Sequence, residues 1–187
     1  MNIILQKNEK NFIFYHIIHL FVEHNYQPMT KFIICAFFIA LNLKAQSNLP
    51  DVTLSNLEGK KISLTKDFSE QDKLYVLSFW ATWCTPCINE LDEINEVQND
   101  WKKEVNFEVL AISIDDSRTQ KRVKPLTNGK EWEFTILLDS NQDLKRALSI
   151  VNVPYTIVVK NNTIVHVQNG YVPGNELELF EKLKSLK

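Results

Sequence analysis

The sequence contains little glycine, proline or cysteine, with 4, 6 and 3 residues of each among 187. So few glycines and prolines exclude a collagen-like or low-complexity chain, and three cysteines are too few for a domain held together mainly by disulfides. Neither sign of charge dominates, since Lys and Arg number 21 and Asp and Glu number 23. Without a long basic block, the chain is not expected to bind nucleic acid. Its 44% of hydrophobic residues is typical of a globular protein.

The apolar run near the start of the chain is too short for a typical membrane span. Residues 32–41 form a run of about ten residues, whereas a membrane-spanning helix needs roughly 20. A lysine precedes the run and a small residue, Ala45, lies near its end, which is the layout of a secretory signal. We therefore predict a signal peptide over 29–46, cleaved near Ala45, and a periplasmic or other extracytoplasmic location. The alternative is a membrane anchor formed by 32–43.

The 28 residues before this segment need a separate interpretation. A signal normally begins at the initiator methionine, so Met29 is the expected start and 1–28 is interpreted as translated upstream sequence without a function. Three of the four histidines lie there, but no further ligands complete a metal site. Residues 47–187 then remain as one domain, a length typical of a single folded unit.

Within 47–187, patterns typical of strands and helices alternate. Continuous apolar runs indicate buried strands, and apolar residues at steps of three and four indicate helices. The predicted strands are 52–54, 61–64, 74–80, 107–114, 134–138, 155–160 and 163–168, and the predicted helices are 86–101, 118–127, 140–148 and 175–186. This order predicts an α/β fold with a central β-sheet flanked by helices and an added N-terminal β-hairpin. The short turn at 161–162 requires antiparallel strands, so the sheet should be mixed.

The most informative motif is a pair of cysteines, Cys84 and Cys87, placed after a buried strand at the opening of a helix. If Cys35 is removed with the signal, they are the only cysteines left. A structural zinc site would need two further ligands, and 47–187 offers only His166 among histidines. No metal is therefore expected. The context favours redox chemistry over two cysteines that merely fill the core.

The position of Cys84 just before the helix favours a thiolate, because free amides and the helix dipole stabilise negative charge there. A helix terminus contributes about 0.3–1 kcal/mol, less than the roughly 2 kcal/mol needed to bring a thiol pKa near neutrality. A hydrogen bond from the Cys87 thiol would supply the remainder. We therefore predict Cys84 as the exposed attacking thiol and Cys87 as the buried resolving thiol.

The segment from Phe79 to Cys87 resembles the active site of the thioredoxin superfamily, and more closely that of its exported TlpA-like and ResA-like branch. A second match is Val153-Pro154 before a strand, similar to the family's cis-proline loop, and a third is Gly170 before the last helix. The resemblance implies a thioredoxin-like fold over 48–187 and protein disulfides as substrates. It also implies that the backbone of Val153 pairs with substrate. The implied substrate-binding residues are Trp83, Thr85, Pro86, Val153, Pro154 and Gly170.

Ser78 stands where cytoplasmic thioredoxins have a buried aspartate that relays protons to the resolving cysteine. Glu90 is the candidate replacement, because it lies one helical turn after Cys87 at the edge of the buried face and the exported branch has a glutamate at the matching place. The alternative is a solvated helix residue like Glu93.

Other side chains have structural interpretations. Asp115 and Asp116 are expected to cap a helix after a strand rather than to act in acid–base catalysis. Trp83 is expected near the surface around the sulfur. Trp101 and Trp132 are expected to be packing residues, and His166 an exposed strand residue.

The leading functional hypothesis is a reductase of protein disulfides, a monomer with no cofactor beyond the Cys84–Cys87 disulfide, kept reduced by a membrane electron donor. The Thr-Pro spacer lacks the histidine of strongly oxidising relatives, so a reduction potential of about −200 to −270 mV is expected. By resemblance, one task is reduction of apocytochrome c cysteines, as part of cytochrome c maturation and cell redox homeostasis. The alternatives are a disulfide oxidase or isomerase, a peptide-binding module, or a peroxidase.

Overall fold

The computed structural model describes residues 47–187, which form one seven-stranded sheet with five α-helices. The predicted segments 1–28 and 29–46 lie outside the described residues. The strands are β1 (Thr53–Asn56), β2 (Lys61–Ser63), β3 (Leu74–Trp80), β4 (Phe107–Ser113), β5 (Thr135–Leu138), β6 (Tyr155–Lys160) and β7 (Thr163–Asn169). The helices are α1 (Leu64–Asp67), α2 (Thr85–Trp101), α3 (Val123–Lys130), α4 (Asp143–Ala147) and α5 (Asn175–Leu186), with a 3-10 turn at Gln120–Arg122.

The sheet is mixed, as predicted, and its strand order is β2-β1-β5-β4-β3-β6-β7. Strands β3, β4 and β5 run parallel, whereas β6 and β7 add antiparallel partners on one side and β1 and β2 on the other. Every residue of β3 is buried, so both faces of this central strand are covered. The strand that leads into the cysteine pair is therefore held on both edges and both faces.

Both predicted hairpins are present. The β1–β2 hairpin turns at Gly59, whose φ of 82° lies in the left-handed region that glycine adopts without strain. The β6–β7 hairpin turns at Asn161 and Asn162, both also left-handed, as a two-residue turn between antiparallel strands requires. The added hairpin joins the main sheet, because β1 pairs with β5.

Helix α2 buries the predicted apolar stripe against the sheet and α5. Cys87, Leu91 and Ile94 are fully buried along it. At its C-terminal end, Trp101 stacks on Phe180 of α5, with ring centroids 4.8 Å apart. The helix that begins at the cysteine pair is thereby fixed along its whole length.

Two predicted helices are shorter than expected or displaced. The helix predicted over 118–127 is a 3-10 turn followed by α3, which begins at Val123. Pro125 explains the difference, because proline is tolerated in the first turn of a helix but not in its interior. The helix predicted over 140–148 is α4, which begins only after Gln142, a residue with a left-handed φ of 56°. Within residues 47–187, none of the helices has the length and apolarity needed to cross a membrane.

Candidate active site

The cysteine pair lies where β3 passes into α2, and the two residues form a disulfide bond with a Cα–Cα distance of 5.3 Å. Cys84 is the N-cap residue of α2, and its own carbonyl accepts a hydrogen bond from the amide of Ile88 at 3.1 Å. Cys84 therefore lies at the end of α2 where the main-chain amides have no partner within the helix. This is the electrostatic setting that favours a thiolate after reduction.

The two cysteines differ in exposure, although less than predicted. Cys87 is fully buried, as expected, while Cys84 is 6% exposed and thus buried rather than open in the disulfide form. The exposed surface around it is formed by Trp83, with 59% exposure, and by Thr85 and Pro86. Cys84 remains the more exposed of the two residues, and its immediate neighbours form the surface that a partner would contact.

The predicted cis-proline loop is present, with a cis peptide bond between Val153 and Pro154. The amide of Gly170 donates a hydrogen bond to the Pro154 carbonyl at 2.9 Å, so the structure brings these two predicted residues together. Gly170 has a φ of 82°, and a Cβ atom built there would meet no heavy atom within 4 Å. Backbone conformation rather than crowding therefore favours glycine at this position.

Glu90 is buried, with 1% exposure, rather than at the edge of the buried face. Its Oε1 accepts a hydrogen bond from the Thr156 hydroxyl at 2.9 Å, and its Oε2 accepts one from the Ser78 hydroxyl at 3.3 Å. Burial raises the pKa of Glu90 to about 7, and the two hydroxyl hydrogen bonds oppose this rise. A carboxyl group with a pKa near neutrality, one turn from Cys87, can exchange a proton at physiological pH.

Asp115 does not cap a helix, contrary to the sequence prediction. It is buried, and its carboxylate accepts hydrogen bonds from the Thr82 amide at 2.9 Å, the Thr82 hydroxyl at 2.7 Å and the Ser113 hydroxyl at 2.9 Å. Thr82 lies two residues before Cys84, so Asp115 fixes the loop that carries the cysteine. No local pattern in the sequence indicated this contact, which arises because the end of β4 lies beside the end of β3.

These features agree with the chain's similarity to known proteins. The AhpC/TSA family model matches residues 45–168. The chain belongs to the AhpC/TSA family. Among curated members, it is 31% identical over 134 residues to the thiol-disulfide oxidoreductase ResA of Bacillus thuringiensis strain Al Hakam, which covers 71% of this chain and 74% of that protein.

Similarity to solved structures supports a thioredoxin-like fold. An uncharacterized thioredoxin-like protein from Porphyromonas gingivalis is 42% identical, with a TM-score of 0.65 over 74% of this chain and 90% of that one. A thiol-disulfide oxidoreductase from Bacteroides fragilis aligns with a TM-score of 0.61 and 23% identity over 75% of this chain and 100% of that one, which supports the fold alone. This AhpC/TSA-family chain is a thiol-disulfide oxidoreductase with a thioredoxin-like fold.

Trp132 of this family member is a packing residue, as predicted. Trp80 is fully buried and meets Trp132 edge to face, with centroids 5.0 Å apart. The Trp132 indole donates to Asp92 of α2 at 2.9 Å, which ties the segment after α3 to the active-site helix. His166 is half-buried rather than exposed, and burial lowers its pKa. Among residues 47–187, no three His, Cys, Asp or Glu side chains cluster in a way that could hold a metal ion.

Proposed function

We propose that this protein reduces disulfide bonds in other proteins by dithiol exchange through Cys84 and Cys87. The observation that carries the proposal is the Cys84–Cys87 disulfide at the N-terminus of α2. Cys87 is fully buried, and Cys84 lies next to the exposed side chain of Trp83. In the reduced form, the Cys84 thiolate attacks a substrate disulfide. One substrate sulfur leaves as a thiolate, and Cys84 is joined to the other.

The second step regenerates the internal disulfide. The Cys87 thiolate attacks the Cys84 sulfur, the bond to substrate breaks, and the second substrate sulfur leaves. Two electrons pass from the cysteine pair to the substrate, which gains two thiols after protonation. Glu90 accepts the proton that Cys87 gives up, because a buried carboxyl with a pKa of about 7 is ionised in part at neutral pH. No cofactor beyond the disulfide takes part.

Substrate would lie along the exposed residues next to Cys84 and beside the cis-proline loop. In residues 47–187, the hydrogen bonds use neither the amide nor the carbonyl of Val153, which leaves both groups available to an extended peptide. The Gly170 backbone lies against the same loop. The residues assigned to substrate binding are Trp83, Thr85, Pro86, Val153, Pro154 and Gly170.

The direction of electron flow follows from the residues between the cysteines. Thr85 and Pro86 include no histidine whose imidazolium would stabilise the reduced thiolate, so the pair should be reducing rather than strongly oxidising. The predicted signal at 29–46 places the protein outside the cytoplasm, where a membrane donor would return electrons to it. The substrates proposed are exported proteins, including the haem-binding cysteine pair of apocytochrome c, and the protein would act as a monomer.

The test is reduction of insulin with dithiothreitol as the electron source. The full chain should accelerate the reaction, Cys84→Ser should abolish the acceleration, and Cys87→Ser should accumulate a mixed disulfide with insulin, visible on a non-reducing gel. Cys35→Ser is the matched control and should keep full activity. Full activity in Cys84→Ser, or no activity in the unaltered chain, would instead support the peptide-binding module.

The substrate class can be tested separately. A peptide with an oxidised Cys-x-x-Cys-His motif should be reduced at a rate at least comparable with that of insulin. Slow reduction of this peptide alongside rapid reduction of insulin would restrict the proposal to other exported disulfides.

A further inference from the structure

The carboxyl group of Glu90 is held between two neighbouring strands. Ser78 of β3 and Thr156 of β6 are register partners, so their side chains lie side by side on the same face of the sheet. Each donates its hydroxyl to a different oxygen of Glu90, at 3.3 Å from Ser78 and 2.9 Å from Thr156. All three residues are at most 1% exposed. The carboxyl group thus has a pair of buried hydroxyl donors rather than a cation.

We propose that Ser78 and Thr156 are positioning residues that hold Glu90 in its ionised, proton-accepting form. The inference rests on the proposed role of Glu90 as the acceptor of the Cys87 proton, and it goes further by naming the groups on which that role depends.

The hydrogen-bonding capacity of the Glu90 carboxyl group explains why the hydroxyls of Ser78 and Thr156 favour its ionised form. Both hydroxyls donate more strongly to Glu90 when it is a carboxylate, because a protonated carboxyl group is uncharged and uses one oxygen to carry a donor of its own. Hydrogen bonds to the charged form favour that form, whereas burial disfavours it. Here the two effects oppose each other and leave the pKa of Glu90 at about 7. Without the hydroxyls, burial would keep Glu90 protonated at neutral pH and unable to accept another proton.

The geometry also joins the two halves of the active site. Glu90 lies one helical turn after Cys87 on α2, and Thr156 lies two residues after the cis Pro154. The hydrogen bond between Glu90 and Thr156 therefore connects the helix that carries the resolving cysteine with the loop assigned to substrate. It is the shorter of the two bonds, so Thr156 should have the larger effect.

The titratable neighbours of Glu90 do not change their charge in the pH range in which Glu90 titrates. The Tyr171 phenol, from the loop after β7, is close enough to Glu90 and Glu93 for their charges to act on it, and its pKa is raised, mainly by burial and then by its hydrogen bond to Glu176. Tyr171 therefore stays neutral over the range in which Glu90 titrates. Cys87, in the disulfide form, does not titrate.

The experiment is a carbon-13 NMR titration of the Glu90 carboxyl in the oxidised full chain, with Glu90→Gln to assign its resonance. Loss of one hydrogen bond to a charged group should lower the acid dissociation constant of Glu90 about tenfold in Thr156→Val and about threefold in Ser78→Ala. Thr156→Ser keeps the hydroxyl and should stay within about twofold of the unaltered chain. The pH midpoint of insulin reduction should rise in the same order of variants.

Unchanged dissociation constants in both Thr156→Val and Ser78→Ala would overturn the inference, and so would an equal shift in Thr156→Ser and Thr156→Val. If circular dichroism shows that Thr156→Val does not fold, Ser78→Ala decides alone. The titration uses the oxidised protein and no electron donor, so it is independent of the proposed reductase activity. If the dissociation constant of Glu90 shifts in these variants but the protein does not reduce insulin, the reductase proposal is wrong and the role of Ser78 and Thr156 stands. If the protein reduces insulin normally but the dissociation constant does not shift, the role of Ser78 and Thr156 is wrong and the reductase proposal stands.

Discussion

Asp115 and Glu90 are both buried carboxylates, and they are held differently. Asp115 accepts three hydrogen bonds, one of them from a main-chain amide, and all of them at 2.9 Å or less. Glu90 accepts two, both from hydroxyls, and one of these is 3.3 Å long. Asp115 binds Thr82 in the loop before Cys84, and Glu90 lies on α2, three residues after Cys87.

The difference separates a structural carboxylate from a reactive one. Two of the three donors to Asp115 are hydroxyls, but the third is the Thr82 main-chain amide, which can only donate, so Asp115 serves to hold Thr82 in place. Glu90 has no main-chain donor, and burial raises its pKa to about 7, so this group can change its protonation state near neutral pH. Stability should therefore depend on Asp115, and proton transfer on Glu90.

The largest effect is expected from Asp115→Ala. It would leave the Thr82 amide, the Thr82 hydroxyl and the Ser113 hydroxyl without their acceptor, and an unpaired buried polar group costs about 1–3 kcal/mol. With partial rearrangement, the free energy of unfolding at pH 7 should fall by about 4 kcal/mol, measured by urea denaturation. Asp116→Ala is the control, since that carboxylate pairs with exposed Arg118 at the surface, and it should change the free energy of unfolding only slightly. Equal losses in the two variants would contradict the structural role of Asp115.

The next effect concerns the dependence of stability on pH. The pKa of Glu90 is about 7 in the folded protein and 4.5 in the reference state, so the folded state binds more protons than the unfolded state between these values. The contribution of Glu90 to the free energy of unfolding is fully present below about pH 4.5 and is lost as the pH rises to 7. The loss amounts to about 3 kcal/mol. Glutamine does not titrate, so the free energy of unfolding of Glu90→Gln, relative to that of the unaltered chain, should increase by about 3 kcal/mol between pH 4 and pH 8.

The measurement is urea denaturation of both proteins across this range, so that shared titrations cancel. Glu96→Gln, an exposed carboxyl on the same helix, should show no such gain. A constant difference between Glu90→Gln and the unaltered chain at all pH values would contradict the raised pKa of Glu90.

The same Glu90→Gln variant should slow turnover at pH 7. Removing a general base typically costs about 100-fold or more, and water can replace part of it here, so we expect a loss of about tenfold to 100-fold in kcat for insulin reduction. Glu90→Gln should not lose stability at pH 7, in contrast to Asp115→Ala. Turnover unaffected by Glu90→Gln, with unchanged thiol titrations, would remove Glu90 from the mechanism.

The smallest effect is expected from Trp83→Ala, which touches neither carboxylate. Trp83 is 59% exposed, so its removal should change the free energy of unfolding by less than about 0.5 kcal/mol. Loss of a substrate contact should raise KM for insulin a fewfold and leave kcat unchanged. Trp101→Ala is the opposite case, because it removes a buried ring and should destabilise the fold. A loss of kcat in Trp83→Ala would mean that Trp83 affects the reaction itself.

Most of the fold could be predicted from local patterns. The predicted bounds of 74–80, 155–160 and 175–186 agree with β3, β6 and α5, because apolar runs and helical spacing are clear there. The helix predicted over 118–127 begins later, at Val123, because the aspartates after β4 resemble a helix cap without forming one and Pro125 fits only the first turn of a helix.

The active site could be predicted only in part. Cys84, Cys87 and Pro154 belong to short motifs, which a sequence displays directly. The hydroxyl pair on Glu90 depends on the register between β3 and β6, and Thr156 is 66 residues from Glu90 along the chain. The contact of Asp115 with Thr82 likewise depends on the parallel pairing of β3 and β4. Such contacts join residues distant in sequence and carry no local signal.

The most direct test of the central claim is the midpoint potential of the Cys84–Cys87 pair, measured in the full chain with Cys35→Ser by equilibration against glutathione and dithiothreitol buffers. A disulfide reductase with a Thr-Pro spacer should give a value of about −200 to −270 mV. A value near −120 mV would contradict the proposed direction of electron flow and make the protein an oxidant, since that potential belongs to the oxidising end of the superfamily. Failure to form the disulfide at any potential would contradict thiol-disulfide exchange altogether.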